Sequence, residues 1–161
     1  LVVRQAKELR YNPAIMGFTV AASIPDFRIN LGKDAEGIMG GEWWTPQMGW
    51  FDDFFGTASQ YAAEFEARFG YTPTYHAASS SIGGYLLQLA IERAGTLDTE
   101  AVRQQLLKLD EVTMFGPVSF NEKGVNVASS AAGFQIQNGE IVVLWPPRIS
   151  QGSMIYPKPA W

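Results

Sequence analysis

Side chains that act as nucleophiles or metal ligands are scarce in this chain. It has no Cys and one His, His76, which excludes disulfides, thiolate zinc sites and cysteine nucleophiles and leaves a His-based metal site short of ligands. Three serines at 79–81 follow His76, but they lack the Gly-x-Ser-x-Gly elbow that presents a nucleophile. Serines at a predicted helix start are more typical of caps, so a hydrolase built on His76 is a minor alternative.

Four acidic residues lie near one predicted strand and the loop after it. Glu36 and Glu42 flank the start of the strand, and Asp52 and Asp53 lie in an aromatic loop. A catalytic pair of carboxylates must face each other across a substrate, and the sequence does not show that spacing. We expect Asp52 and Asp53 to be solvated loop carboxylates, and for Glu36 a solvated and a functional role are both open.

Aromatic side chains are the most prominent feature of the sequence. Because Trp43 and Trp44 are adjacent on a predicted strand, they must point to opposite faces, so we expect one in the core and the other facing a cleft or a second domain. Such rings offer apolar area and attract amines through cation–π contacts. Six of them fall within thirteen positions: Trp43, Trp44, Trp50, Phe51, Phe54 and Phe55. This inventory favours non-covalent binding over catalysis.

The composition of the chain excludes several classes of function. The 161 residues are 47% hydrophobic and 17% charged, enough for one ordinary domain with a core and unlike a disordered chain. The net charge is -4 with no basic cluster, which argues against nucleic acid as a partner. The sequence has no Gly-rich phosphate loop and no apolar run of the roughly 20 residues that a membrane-spanning helix needs. We predict no cofactor and no metal.

The first third of the chain is expected to alternate helix and strand. Helical spacing of apolar residues begins at Leu1. The apolar run 14–22 predicts a buried strand, and Pro25 predicts a loop over 23–26 because it removes a ladder hydrogen bond. A second strand is expected from residue 38 to Trp44.

The rest of the sequence predicts helices followed by a hairpin. We expect helices over 57–69, over 79–94 after an extended entry at Tyr75, and after a cap at Asp98 or Thr99. Asn138-Gly139 between two apolar runs is the strongest short signal for a hairpin. A short strand is predicted at 118–120 before it, and a tail with four prolines, expected to run over a surface, from 145 to 161. This pattern is typical of an α/β fold with a mixed sheet.

Seven segments, taken in order, resemble one family. They are RQAKEL at 4–9, LGKDAEG at 31–37, WWTP at 43–46, FGYTPTYHAA at 69–78, AIERAG at 90–95, FGPVSFNEKG at 115–124 and YPKPAW at 156–161. Together they resemble the C-terminal half of a periplasmic solute-binding protein of the branched-chain amino acid (leucine/isoleucine/valine-type) ABC transporter family. That family has the type I periplasmic binding fold, in which two Rossmann-like α/β lobes trap a ligand between them.

The resemblance implies a domain organisation. Residues of about 1–53 and 113–150 would belong to the second lobe, ending in the hairpin, and helices from about 58 to 110 would return to the first lobe. Residues 151–161 form the Pro-rich tail. Since such a fragment would expose large apolar faces, we expect a companion chain that carries the N-terminal half of the same protein.

The resemblance also implies site residues. Glu36 would hold the ligand's α-ammonium, and Trp43 or Trp44 would pack against its side chain, which points to an aromatic or larger ligand. The cleft loop at 19–23 would contribute three residues, and the junction before the long helix would contribute three more from the other lobe. These are Thr19, Ala21 and Ser23, and Tyr75, His76 and Ala78.

The function implied is that of a non-enzymatic component of an ABC importer. It would capture an amino acid or related small molecule by reversible closure outside the cytoplasm and present it to a membrane permease. No export signal is recognisable at the start of the sequence. A ligand-sensing regulator or receptor ectodomain of the same fold is the alternative.

Overall fold

The structure is a computed structural model that describes residues 1–129 and 131–161. Its helices are α1 (Val2–Glu8), α2 (Pro25–Leu31), α3 (Ala58–Phe69), α4 (Tyr75–Ala94) and α5 (Thr99–Leu106). Its strands are β1 (Gly17–Phe18), β2 (Met39–Glu42), β3 (Phe51–Asp52), β4 (Gly56–Thr57), β5 (Asp110–Thr113), β6 (Gly116–Ser119), β7 (Ala132–Gln137) and β8 (Glu140–Trp145). Short 3₁₀ helices occupy Ala21–Ser23, Gly32–Ala35 and Pro147–Ile149.

The chain divides into two compact units. The first combines residues 1–43 with 131–161, and the second runs from residue 44 to residue 129 among the described residues. The boundaries fall at 43 and 131, whereas we expected them near 53 and 113. Trp44 lies in one apolar core with residues of α3, α4 and β6, which places the segment after it in the second unit. The assignment of the units to lobes stays a prediction.

The first unit is built on a four-stranded sheet in the order β1-β2-β7-β8. β1 and β2 are parallel, and the β2–β7 and β7–β8 pairs are antiparallel, so the predicted mixed α/β sheet is confirmed. Phe134 on β7 is fully buried and packs with Val3 of α1 and Ile38. The predicted hairpin is also confirmed, because Asn138 and Gly139 both adopt positive φ between β7 and β8.

The second unit packs α3 and α4 around Trp44. A capping box begins α3, where the Thr57 side chain accepts from Gln60 N and the Gln60 side chain accepts from Thr57 N. Gly70 ends α3 in the left-handed conformation, which glycine adopts without steric cost. Asp98 caps α5 by accepting from Ala101 N.

Three sequence-based assignments are wrong. Residues 14–22 form a strand only at Gly17–Phe18, and the chain then turns into a 3₁₀ helix. Pro25 begins α2 instead of lying in a loop, because a missing N–H costs nothing at a helix start. α4 begins at Tyr75, after Thr74, so the extended entry is absent and the three serines at 79–81 lie inside the helix rather than at its cap.

Within the first unit, the C-terminal tail is hydrogen-bonded to the segment that follows α1. Lys158 N donates to Ala14 O at 2.8 Å, and Trp161 Nε1 donates to Tyr11 O at 3.0 Å. Lys158 is buried, and its Nζ lies 3.5 Å from the centre of the Trp161 ring. Burial lowers the pKa of Lys158, and the charge of Asp34 partly opposes that shift.

Candidate functional site

The carboxyl ends of the parallel strands β1 and β2 form one edge of the sheet in the first unit. Their parallel register pairs Phe18 with Gly40, so the residues that follow, Thr19 and Gly41, are neighbours, and Gly41 N donates to Thr19 O at 3.1 Å. In α/β sheets, ligands bind outside this edge. A pocket of about 430 Å³ opens here, a volume within the range of small-molecule sites.

The walls of this pocket, which we call the edge pocket, are largely apolar. Glycine backbone from β1 and β2 contributes part of the wall, and the polar side chains are those of Thr19 and Glu42. The apolar side chains are Phe18, Val20, Met39, Trp43 and Ala131. Among the described residues, no Lys, Arg or His lines the edge pocket.

Glu42 is the charged group of the edge pocket. Its residue is 2% exposed, and its Oε1 accepts from Trp43 N at 2.7 Å. Oγ of Ser23 lies 2.5 Å from Oε2 of Glu42 and 2.8 Å from Val20 O; having one hydrogen, this hydroxyl donates to one of them at a time. Within residues 1–129 and 131–161, no cationic side chain forms an ion pair with Glu42.

One of Trp43 and Trp44 is exposed and the other is buried, as expected, although β2 ends at Glu42 and both follow it rather than lying in the predicted strand. Trp43 is 49% exposed and lines the edge pocket, whereas Trp44 is 1% exposed. Trp44 belongs to the core of the second unit, where its Nε1 donates to Met114 O at 3.0 Å. Its ring meets Tyr61 edge to face, with 5.8 Å between the centroids. Of the two rings, Trp43 is therefore the one exposed at the edge pocket, and Trp44 is part of a core.

Glu36 lies at the other end of β2. It precedes the strand, and its carboxylate accepts from the hairpin turn, from Asn138 N at 2.8 Å and Gly139 N at 2.5 Å. Glu36 therefore does not line the edge pocket, and in the structure its carboxylate holds the hairpin turn. Its predicted ammonium-binding role stays a prediction.

The three residues expected from the cleft loop are placed differently from one another. Thr19 is exposed and lines the edge pocket. Ser23 reaches the pocket through its contact with Glu42. Ala21 is exposed and lines a neighbouring depression formed with α1 and α2.

The three residues expected at the start of α4 lie in the second unit. The Tyr75 ring is half-buried and packs on the exposed His76, with 3.8 Å between the centroids. Ala78 is fully buried in the core, so its methyl group packs against protein rather than ligand. Ser79 Oγ donates to the carbonyl oxygen of His76, which is a bond to backbone and not to the imidazole.

Asp52 is a buried acceptor, contrary to the solvated position we expected. Its Oδ1 accepts from Phe54 N at 3.0 Å and Phe55 N at 2.6 Å, and its Oδ2 accepts from Met114 N at 2.6 Å. The neighbouring Asp53 is exposed, as expected. Asp52 therefore fixes the aromatic loop against the segment between β5 and β6.

Sequence reasoning did not single out Glu42, which lines the edge pocket. The signal was present, because an acid at the end of a glycine-rich apolar strand must lie at the carboxyl edge of the sheet. In the described part of the chain, no group of three or more His, Asp or Glu could hold a metal ion, and no helix there is long and apolar enough to cross a membrane.

Comparison with known proteins identifies one family and one fold. A family model described as periplasmic binding protein matches residues 1–140. A leucine-binding protein from Thermotoga maritima is 21% identical with a TM-score of 0.69; the match covers 89% of this chain and 39% of that one.

Two further structures have the same fold. A branched-chain amino acid transporter substrate-binding protein from Streptococcus pneumoniae, in complex with isoleucine, is 15% identical with a TM-score of 0.66 over 97% of this chain and 41% of that one. An ABC transporter substrate-binding protein from Desulfitobacterium hafniense is 18% identical with a TM-score of 0.65 over 89% and 39%. The chain thus spans about two fifths of the length of these proteins.

Proposed function

This chain belongs to the periplasmic binding protein family, and from that premise we propose that it captures a small solute reversibly in the edge pocket, without a covalent step. The solute is an amino acid or a related small molecule with an apolar part. Binding would stabilise a closed state of the whole protein, so the response is a shift between populations.

The observation that supports this proposal is the position of Glu42 and Trp43. One is a buried carboxylate and the other an exposed aromatic ring, and both line a pocket at the carboxyl edge of parallel strands. A concave apolar wall with a few convergent polar groups is the usual composition of a small-molecule site. The apolar wall would bind the body of the solute, and the carboxylate and Thr19 would orient its polar part.

The biological setting is part of the same proposal. We propose that the protein works outside the cytoplasm, as the family name implies, and delivers its solute to an ABC permease. Residues outside this chain would cover the edge pocket from the opposite side, since the similar proteins are more than twice as long. The companion chain with the N-terminal half stays a prediction, which intact mass and denaturing electrophoresis of the purified protein would test.

Native mass spectrometry of the purified protein tests this function. We expect a non-covalently held small molecule at one copy per protein, released unchanged on unfolding. Adding the released compound back should raise the melting temperature in a concentration-dependent way, because a ligand that binds only the folded state stabilises it. A protein that consumes the compound, or that retains no compound and is stabilised by none of a broad set of amino acids and amines, would contradict the proposal.

A further inference from the structure

We propose that an aromatic surface of the second unit binds a partner protein, through a segment of that partner in which Lys or Arg side chains stand next to apolar ones. The surface, which we call the aromatic patch, is formed by Phe54, Phe55 and Tyr85. Two of these rings belong to the aromatic run of the sequence, from which the edge pocket uses Trp43. The proposal is independent of solute capture in that pocket.

The three rings of the aromatic patch are in direct contact. Phe54 stacks on Tyr85 with 4.9 Å between the centroids, and it meets Phe55 edge to face at 4.7 Å. Phe55 and Tyr85 are partly buried and pack on the core of the second unit, whereas Phe54 is 58% exposed. Phe51, on β3 in the same loop, is 52% exposed. Apolar side chains that are exposed as a group, rather than singly, mark interaction sites.

Hydrogen bonds fix the backbone beneath the aromatic patch. One oxygen of the buried Asp52 carboxylate accepts from Phe54 N and Phe55 N, and the other accepts from Met114 N. A preformed surface loses less conformational entropy on binding than a mobile loop does. Aromatic side chains are also enriched at protein interfaces. An exposed ring on a fixed backbone therefore suits the surface of a protein partner.

The aromatic patch carries negative charge at its rim. Asp53 is exposed next to Phe54, and no cationic side chain in the described part of the chain forms an ion pair with it. Burial raises the pKa of the Tyr85 hydroxyl, and nearby carboxylates, Asp52 the foremost, raise it further. The rings therefore lie in a negative electrostatic field.

Basic side chains of the second unit do not cancel this field. Arg93 opposes the negative charge at Tyr85, but its Nη2 is paired with Oε1 of Glu111 at 2.6 Å. Over residues 44–130 the sequence has ten Asp and Glu and five Lys and Arg. The second unit as a whole is thus negative, as the rim of the aromatic patch is.

This charge discriminates between occupants of the aromatic patch. A basic segment would place Lys or Arg beside Asp53 and over the ring of Phe54, whose face attracts cations, while its apolar side chains cover the rings. A second copy of this chain would bring two negative surfaces together, and a membrane with anionic lipids would be repelled for the same reason. Complementary charge therefore favours the basic partner.

Two short synthetic peptides test the proposal on the unmodified protein. They share their Leu and Phe positions and carry either Lys or Gln at every polar position. In titration calorimetry at neutral pH and low salt, we expect the Lys peptide to bind saturably, at one peptide per protein and at least about fivefold more tightly than the Gln peptide. Added salt should weaken its binding. Equal affinity for the two peptides, or no saturable binding of the Lys peptide, would overturn the proposal.

Matched variants assign the binding to the aromatic patch. Phe54→Ser should weaken binding of the Lys peptide about tenfold, the scale of an aromatic residue at the centre of an interface. Asp53→Asn should weaken it about two- to fivefold. The controls on α3 are Phe69→Ser, at a ring that is 53% exposed, and Glu64→Gln, at an exposed acid; both should leave the affinity unchanged. Binding that survives Phe54→Ser and Asp53→Asn, or that the control variants weaken equally, would contradict the assignment.

Two further measurements detect the other occupants. Sedimentation equilibrium of the unmodified protein detects self-association, and flotation with vesicles of phosphatidylcholine and phosphatidylglycerol detects lipid binding. We expect that Phe54→Ser changes neither result. Self-association that Phe54→Ser abolishes would assign the aromatic patch to a second copy of the chain, and vesicle binding that it abolishes would assign the patch to a membrane; either would overturn the proposal.

Discussion

Replacing Gly40 by Ala is expected to destabilise the first unit, because the core has no room for a side chain on β2 at this position. Gly40 on β2 is paired with Phe134 on β7, and a Cβ built at Gly40 would lie within 3.0 Å of three atoms of the Phe134 ring. That ring is fully buried among Val3, Ile38 and their neighbours. The ring therefore cannot move aside without disturbing the core.

The magnitude combines two opposing effects. Inserting a methyl group into a packed core typically costs about 1–3 kcal/mol, whereas Gly→Ala alone gains about 0.4–1 kcal/mol by restricting the unfolded chain. Gly41→Ala is the matched control, since a Cβ there meets nothing closer than Thr19 O at 3.8 Å. Gly40→Ala should therefore be about 1–3 kcal/mol less stable than Gly41→Ala.

Urea unfolding, followed by circular dichroism, measures the difference between the two variants. A lower midpoint with an unchanged slope would show lost stability rather than a changed unfolded state. Equal midpoints for Gly40→Ala and Gly41→Ala would refute the reasoning, because they would mean that the Phe134 ring accommodates the added methyl group.

Three further predictions concern the charged residues Glu36, Asp52 and Lys158. Glu36→Gln should lower the free energy of unfolding in urea by about 1 kcal/mol, since the Gln amide oxygen can accept from only one of the two turn N–H groups. The substitution should leave solute affinity unchanged. A reduced affinity with unchanged stability would show that Glu36 belongs to the binding site. Asp52→Asn should cost about 1–3 kcal/mol, because one of three buried N–H groups loses its acceptor; an unchanged midpoint would contradict this. Burial lowers the pKa of Lys158 below its ordinary 10.5. Just below pH 10.5 the folded state therefore binds fewer protons than the unfolded state. The contribution of Lys158 to the free energy of unfolding rises with pH in this range. That rise should be smaller in Lys158→Met, and parallel pH profiles would show that Lys158 does not titrate differently on folding.

Local chemistry made much of the fold predictable. The Asn138-Gly139 turn and the Asp98 cap each depend on residues adjacent in sequence, and each forms as predicted. The different burial of Trp43 and Trp44 was also expected, although β2 ends before both of them. These features need no knowledge of which segments meet in space.

The errors arise where tertiary contacts decide between local alternatives. The apolar run at 14–22 fits a strand, but only Gly17–Phe18 finds a partner in β2, so the rest adopts other conformations. Glu36 was a candidate ligand residue in the sequence analysis, whereas Glu42 was not. Their roles separate only once β2 is known to run from Met39 to Glu42 beside a parallel partner, which places Glu42 at the edge pocket and Glu36 at the hairpin turn.

The most direct test of solute capture in the edge pocket is ¹⁹F NMR of protein labelled with 5-fluorotryptophan, titrated with the solute that co-purifies. The resonance of residue 43 is assigned with Trp43→Phe. We expect this resonance to shift saturably, at one solute per protein, with the solute unchanged at the end of the titration. A solute that saturates the protein while the Trp43 resonance stays fixed would place the binding site elsewhere.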